Sequence, residues 1–188
     1  MGLGKKMSFL ASKAQLRASF LRWSLFCVPL IVLLGFLSGE LGTPNTLWFQ
    51  GLNKPAIFPP PAVFGIVWGI LFTMIGFALA LVFSAWGAYG RPLAIIVFAL
   101  HFPITLAWTP VFFGTQNMTG GLYVLGAAIV TLLAVLYAFW RVRKSAALLL
   151  LPYFGWVCFA TALNYQFIVE NSDRGGEIES GAAVEVTL

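Results

Sequence analysis

Long apolar stretches, bounded by charged residues, make up most of the chain. Residues 95–100 and 146–151, for example, are apolar at every position. A membrane β-strand instead alternates apolar and polar positions over about ten residues. A helix satisfies its own backbone hydrogen bonds and can be apolar on every side in lipid. The pattern therefore predicts an all-α integral membrane bundle.

Five transmembrane helices fit into these stretches, because one span needs about 20 residues. The uncharged stretch 92–140 is long enough for two helices, and the turn between them is expected at 114–117, where glycine, asparagine and two other polar residues meet. The stretch 55–90 opens with loop-forming prolines and then supplies one helix. The predicted spans are about 20–39, 62–86, 92–113, 118–140 and 146–169.

Three segments lie outside the predicted spans. Residues 1–19 form a basic N-terminal extension, and residues 40–61 form the first loop, loop 1. The tail 171–188 is polar and without periodicity, so we expect it to be disordered. A basic segment followed by a short apolar one also resembles a signal peptide, but no A-x-A cleavage site follows, and we keep it as the first span.

The composition excludes several classes of protein. Hydrophobic residues make up 60% of the 188 positions and charged residues 9%, whereas about a quarter of a soluble domain is charged. An ordinary soluble enzyme, a disordered chain and a disulfide-stapled secreted domain are therefore excluded. No phosphate-binding loop, zinc-protease or hydrolase motif is present. The spans contain no acidic residue, which argues against ion-coupled transport.

Positive charges concentrate on one face of the predicted bundle. The face with the N-terminus carries nine basic residues and no acidic one, while the opposite face carries Lys54, Arg174 and all six acidic residues. The positive-inside rule then places the N-terminus in the cytoplasm and the C-terminus outside, as expected in a bacterial cell membrane, with an outer membrane or the mitochondrial outer membrane as alternatives. The charge thus sets topology and indicates membrane lipid as partner, with no nucleic acid. The nine basic residues are Lys5, Lys6, Lys13, Arg17, Arg22, Arg91, Arg141, Arg143 and Lys144.

Helical spacing groups aromatic and neutral polar residues on three faces. Each face is centred on a tryptophan inside a span, and two faces also carry hydrogen-bonding groups. They could line a cavity for a flat apolar ligand, or they could simply pack, with Thr105 and Asn164 joining helices. Other tryptophans at span ends fit an interfacial aromatic belt. The three faces are Phe64, Trp68 and Phe72; His101, Thr105 and Trp108; and Trp156, Ala160 and Asn164.

Loop 1 is unusually rich in aromatic residues and proline. Trp48 begins its aromatic- and proline-rich segment, 48–61, and the candidate lid residues are Lys54, Pro55, Pro59 and Pro60. Proline fixes φ and stiffens a loop, so the segment could cover the bundle as a lid, or it could rest among lipid headgroups as a connector.

Small residues and internal prolines bear on how the helices pack. Gly65-x-x-x-Gly69 is a close-packing pattern that serves helices within one bundle or a dimer. Four prolines inside three of the spans can kink them and open space between helices; they are Pro29, Pro103, Pro110 and Pro152. Cys27 and Cys158 fall within predicted spans and form no disulfide framework.

Four motifs, in order from about Leu47 to Asn171, resemble those of the TspO/MBR family of tryptophan-rich sensory and translocator proteins. Each motif lies in the loop or span where the family has it, which makes the resemblance specific. The matching residues are Trp48, Phe49, Leu52, Lys54, Pro55, Pro59 and Pro60 in loop 1; Phe64 and Trp68 in the second span; 108–114 in the third; and Pro152, Tyr153, Trp156, Leu163 and Asn164 in the fifth.

The resemblance implies a five-helix bundle that forms a homodimer and holds a ligand pocket beneath loop 1. It implies porphyrins and other tetrapyrroles, sterols or synthetic aromatic compounds as ligands, with no required cofactor. Trp68 and Trp156 match two tryptophans linked in some members to light- and oxygen-dependent porphyrin breakdown, and they are the catalytic candidates. The implied pocket residues are Trp48, Trp68, Trp108, Trp156, Ala160 and Asn164, to which spacing adds Phe64, His101 and Thr105.

The chain also departs from the family pattern. Ile57 stands where a tryptophan is expected, and His101 and Thr105 replace a glutamine and an asparagine found in many members. His101 could add an axial nitrogen for haem iron, or it could bond to a neighbouring helix; no other metal ligand is predicted. The fifth-span sterol pattern is absent, because the next basic residue after Tyr165 is Arg174, and this argues against a sterol ligand.

Three functions remain open from the sequence. The first is a membrane receptor or transporter-like protein that binds porphyrins or haem and adjusts tetrapyrrole metabolism or a stress response. The second is an enzyme that degrades porphyrin photo-oxidatively through Trp68 or Trp156. The third is a structural or interaction protein whose aromatic faces only pack.

Overall fold

Helices form nearly all of residues 13–172, the part of the chain that this computed structural model describes. Five segments are long and apolar enough to cross a membrane, and they are called spans 1 to 5: Ala14–Glu40, Pro61–Phe83, Arg91–Gly114, Met118–Val142 and Lys144–Glu170. The prediction of an all-α, five-span membrane bundle is therefore confirmed. In chain order the elements are α1 Lys13–Glu40, α2 Leu47–Gly51, α3 Pro61–Phe83, α4 Arg91–Leu106, a π-helical turn Pro110–Gly114, α5 Met118–Val142, α6 Lys144–Leu149 and α7 Leu151–Glu170.

The first helix is longer than the sequence predicted. α1 begins at Lys13 rather than near residue 20, because the residues from Ala14 to Leu16 are good helix formers and no breaker separates them from the apolar stretch. Part of the predicted N-terminal extension is therefore a continuation of span 1. The remainder of that extension, 1–12, and residues 173–188 of the predicted tail lie outside the described residues.

Span 2 ends three residues before its predicted end at 86, because a glycine turn follows it. Gly87 and Gly90 have φ of +73° and +81°, a region in which glycine carries no steric penalty. The turn brings Arg91 back to the end of α3, where Nη2 donates to Phe83 O at 2.9 Å and Nε donates to Val82 O at 3.3 Å. The guanidinium thus satisfies carbonyls that the helix leaves unpaired.

A proline break divides span 3 and connects it to span 1. Pro110 has no N–H, so the carbonyl of Leu106 loses its helical partner. Ser38 Oγ of α1 donates to that carbonyl at 2.6 Å, and the chain continues as a π-helical turn in which Thr115 N donates to Pro110 O at 2.9 Å. The turn moves the aromatic residues at 112 and 113 toward loop 1.

Span 5 is likewise two helices where the sequence predicted one. Pro152 lies in the first turn of α7, the position that tolerates a missing N–H. Leu150 joins α6 to α7 and donates its N–H to Ala147 O at 3.0 Å. Tyr153 is buried directly after this bend.

Spans 1 and 2 pack tightly at one end and separate toward loop 1. A Cβ on Gly76 would lie 2.7 Å from Val28 Cα, and one on Gly35 would overlap the Phe72 ring. At Gly65 and Gly69 the described residues leave open space, with nothing within 4 Å of a Cβ. The predicted close-packing pattern therefore does not pack helices within this chain, and Gly35 and Gly76 bring the spans together instead.

Loop 1 is folded against the end of span 5. Thr46 caps α2 by accepting from Phe49 N at 3.2 Å, and Lys54 Nζ donates to Phe49 O and, at 3.1 Å, to Leu52 O. Partial burial lowers the pKa of Lys54. Asn53 N donates to Asn171 Oδ1 at 2.8 Å, and Asn171 Nδ2 donates back to Asn53 O at 3.1 Å. Asn171 is buried, so this residue, predicted as the start of a disordered tail, belongs to the fold.

Candidate functional site

A cavity of about 300 Å³ lies between loop 1 and the nearby ends of spans 1, 2, 3 and 5. Its wall is almost entirely apolar, as is usual for sites that bind organic ligands. This first cavity is lined by Gly39, Gly42, Pro44, Phe49, Phe58, Pro61, Phe64, Gly65, Trp68, Trp108, Thr109, Phe112, Phe113, Ala160, Leu163, Asn164 and Phe167.

Two tryptophans supply flat surfaces to this wall, and each is held by a stacked neighbour. Trp68 stacks on Phe72 of the same helix, with ring centroids 5.1 Å apart and planes at 25°. Trp108 stacks on Phe112 at 5.3 Å and 28°. Because the stacking neighbours restrain both indoles, the wall presents ordered aromatic faces of the kind that favour planar ring systems.

Asn164 is the main polar group of the first cavity, and it connects three spans. Its Oδ1 accepts from Trp108 Nε1 at 3.1 Å, and its Nδ2 donates to Met118 O at 2.8 Å. An asparagine side chain can donate two hydrogen bonds and accept two. One Nδ2 hydrogen and one Oδ1 lone pair therefore have no partner among the described residues.

The roof of the first cavity is a cluster of phenylalanines centred on Phe49 of loop 1. Its ring lies 5.0 Å from Phe113, 5.7 Å from Phe167 and 6.0 Å from Phe58, measured between centroids. Lys54 Nζ lies 4.1 Å from the centroid of the Phe49 ring. Loop 1 thus covers the cavity, although by its phenylalanines rather than by the predicted lid residues Lys54, Pro55, Pro59 and Pro60, which do not line it.

A second cavity of about 370 Å³ lies beside the first, between spans 1, 2 and 3. Trp68 and Trp108 line both cavities, and the predicted residue Thr105 lines only the second. Its full lining is Val32, Gly35, Phe36, Ser38, Gly39, Glu40, Gly65, Trp68, Gly69, Phe72, Thr105, Leu106, Trp108 and Thr109.

His101 requires a correction, because it lies in the bundle core and lines neither cavity. Thr131 Oγ1 donates to Ala127 O at 2.8 Å, so it accepts from His101 Nδ1 at 2.8 Å. Nε2 is then the acceptor for Tyr153 OH at 2.9 Å, and that hydroxyl also lies 2.5 Å from Thr105 Oγ1. Both ring nitrogens are engaged, so the structure offers no free nitrogen to ligate haem iron; the imidazole joins spans 3, 4 and 5.

Trp48 and Trp156 also lie outside the lining of the first cavity. Trp156 packs against Phe64 and Phe159, with ring centroids 5.7 Å and 5.2 Å apart. Trp48 packs on Phe112 at 5.8 Å. Their indole Nε1 atoms are buried and find no hydrogen-bond partner among residues 13–172. Of the two catalytic candidates, Trp68 lines the cavity and Trp156 does not.

These hydrogen bonds give different expectations for two tryptophan-to-phenylalanine changes. Trp108→Phe removes the donor to Asn164 Oδ1, whereas Trp156→Phe removes an N–H that bonds to none of the described residues. Leaving a buried polar atom unpaired costs about 1–3 kcal/mol. We expect Trp108→Phe to lower the thermal unfolding temperature in detergent clearly more than Trp156→Phe does. Equal losses of stability would contradict the assigned role of the Trp108–Asn164 bond.

Several lining residues were not predicted as pocket residues, although Phe49, Leu163 and the phenylalanines at 112 and 113 belong to the family motifs. They come from loop 1, from the π-helical turn and from the last turns of span 5, and most are phenylalanines. The Phe-Phe pair in the third-span motif was the available signal, but phenylalanine in a membrane protein is usually lipid-facing, and spacing alone does not separate the two cases. The principal residues missed are Phe49, Phe58, Phe112, Phe113, Leu163 and Phe167.

Comparison with known proteins gives consistent matches over the region that forms this site. A family model described as the TspO/MBR family matches residues 27–169. The chain is 36% identical over 148 residues to the tryptophan-rich protein TspO of Chlorobaculum tepidum, a match that covers 77% of this chain and 93% of that protein.

Two further relatives extend the comparison to other organisms. The chain is 36% identical over 149 residues to the human translocator protein, covering 75% of this chain and 83% of the relative. It is 33% identical over 137 residues to the tryptophan-rich sensory protein of Cereibacter sphaeroides, covering 73% and 84%.

Proposed function

Since the chain belongs to the TspO/MBR family, we propose that it is a membrane receptor or transporter-like protein that binds porphyrins and similar flat apolar molecules in the first cavity. Relatives named for sensory and translocator roles support a receptor or sensor function. Occupancy of the cavity would then report tetrapyrrole levels and adjust tetrapyrrole metabolism or a stress response.

The observation that carries this proposal is the pair of restrained indoles in an apolar cavity. Trp68 and Trp108 offer aromatic faces, and burial of a ring against them stabilises a complex by about 25 cal/mol per Å² of apolar area. Asn164 retains the capacity to orient one polar edge. The location beneath loop 1, on the face that carries few basic residues, supports an orientation with the cavity toward the outside of the membrane.

Binding of protoporphyrin IX to the protein in lipid nanodiscs tests the proposal. We expect saturable binding at one site per chain, seen as a shift of the porphyrin Soret band. Ala160 is buried and lines the cavity, whereas Ala162 is exposed on the same helix. Ala160→Phe fills the cavity and should weaken binding about ten-fold, the effect of roughly 1.4 kcal/mol; Ala162→Phe should bind as the wild type does.

Two results would count against this function. One is Soret titration that is the same for the protein and for empty nanodiscs, which would mean that the porphyrin partitions into lipid. The other is equal affinity in the wild type and in a folded Ala160→Phe variant, which would place any porphyrin outside the first cavity.

A further inference from the structure

The two cavities adjoin each other and share part of their lining. Gly39, Gly65, Trp68, Trp108 and Thr109 line both of them. The two glycines have no side chain, and within the described residues nothing lies within 4 Å of a Cβ placed on either. The boundary is therefore formed by two indoles with open space beside the backbone of spans 1 and 2.

The second cavity reaches the surface of the bundle between spans 1 and 2. These spans touch at Gly35 and Gly76 and separate beyond them, so that Gly69 also has open space beside it in the described part of the chain. Phe36, which lines the second cavity, is 64% exposed. An exposed apolar residue on a membrane span faces lipid, so this opening faces the bilayer.

The volume of the first cavity limits what it can hold alone. At about 300 Å³ it lies at the lower end of the range for pockets that enclose drug-sized ligands, about 300–1,000 Å³. A tetrapyrrole carries four pyrrole rings and their substituents. We propose, building on the proposed function, that the second cavity is a subsite of the same pocket, which takes the part of a large ring system that the first cavity cannot enclose.

The chemistry of the second cavity defines which part of the ligand it takes. Glu40 is the one charged group among its lining residues in the described segment, and a carboxylate repels the carboxylates of a porphyrin. Ser38 already donates to Leu106 O. The apolar edge of the macrocycle therefore enters the second cavity, and the carboxylate edge stays in the first cavity, whose lining residues in the described part of the chain include no carboxylate.

A substitution confined to the second cavity tests this subsite. Gly69 lines the second cavity only, and a leucine there projects into its space. Gly126 is a matched control, since it lies within α5, lines neither cavity and has open space beside it among residues 13–172. Two probes are titrated into nanodiscs: protoporphyrin IX, and the two-ring quencher 6-bromo-2-naphthol, which the first cavity can enclose.

We expect Gly69→Leu to weaken protoporphyrin IX binding about ten-fold, because a ligand crowded by the leucine would lose roughly 1.4 kcal/mol of binding free energy. Binding of the two-ring probe should be unchanged. Gly126→Leu should change neither. Unchanged porphyrin affinity in Gly69→Leu would overturn the subsite. The second cavity would then be occupied by a second copy of the chain if the oligomeric state of the variant changed, and by lipid if it did not. Equal weakening of both probes would also overturn it. Failure of the wild type to bind protoporphyrin IX would instead refute the proposed function.

Discussion

Trp68→Ala is expected to lower the affinity for protoporphyrin IX about 30-fold. Trp68 lines both cavities and stacks on Phe72. A tryptophan side chain buries about 150–250 Å². If about 80–100 Å² of the indole contacts the ligand, losing that contact costs about 2 kcal/mol of binding free energy at about 25 cal/mol per Å². Two kcal/mol corresponds to about a 30-fold change in the dissociation constant. The Soret band of the porphyrin measures the affinity without relying on tryptophan fluorescence.

Trp156→Ala is the matched control for this experiment. It removes an indole of the same size from a neighbouring span, but Trp156 packs against Phe64 and Phe159 outside the cavity lining. We expect its affinity to stay within about two-fold of the wild type, once circular dichroism shows that both variants are folded. A larger effect at Trp156 than at Trp68 would mean that the ligand occupies a different part of the bundle.

Gly76→Leu is expected to destabilise the protein by about 3 kcal/mol, the upper part of the range for overpacking a tight core. A Cβ on Gly76 would lie 2.7 Å from the backbone of Val28, so no side-chain rotation relieves the clash and span 1 has to move. That movement separates spans 1 and 2 at their tight contact, beyond which the two spans diverge toward loop 1. The apparent melting temperature in detergent, followed by circular dichroism, measures the loss.

Gly69→Leu provides the comparison on the same helix. The described residues leave open space at Gly69, and leucine is a better helix former than glycine by about 1 kcal/mol. We expect its melting temperature to equal or exceed that of the wild type. If Gly76→Leu melted at the same temperature as Gly69→Leu, the tight contact between spans 1 and 2 would not support the fold as described.

Much of the fold was predictable, because lipid imposes one strong constraint on the chain. Backbone groups inside the bilayer have to be paired within the protein, and a helix pairs nearly all of its own, so apolar length and charge positions alone predicted five spans. Helix ends were less predictable. Span 2 ends at Phe83 because a turn at Gly87 and Gly90 follows it, and spans 3 and 5 are broken near Pro110 and Pro152.

The site was predicted in part, and the predicted site residues that do not line the first cavity share one physical reason. Helical spacing gives the direction of a side chain but not its depth along the axis. His101 precedes Trp108 by seven residues, or about 10 Å of helix, and at that depth it lies in the core and bonds to Thr131 and Tyr153. Trp156 likewise precedes Asn164 by eight residues on the same face of α7, and at that depth along the helix it does not line the cavity.

The sequence by itself determined the all-α membrane bundle, the uneven charge of its two faces and the family to which the chain belongs. These follow from apolar length, from charge and from short motifs, all of which are local properties. Only the tertiary structure decided that Phe49 of loop 1 roofs the cavity and that Asn171 fixes the loop to span 5. Only it decided, too, that Gly65 and Gly69 border open space. Those outcomes depend on how helices distant in sequence diverge and meet, which no local pattern encodes.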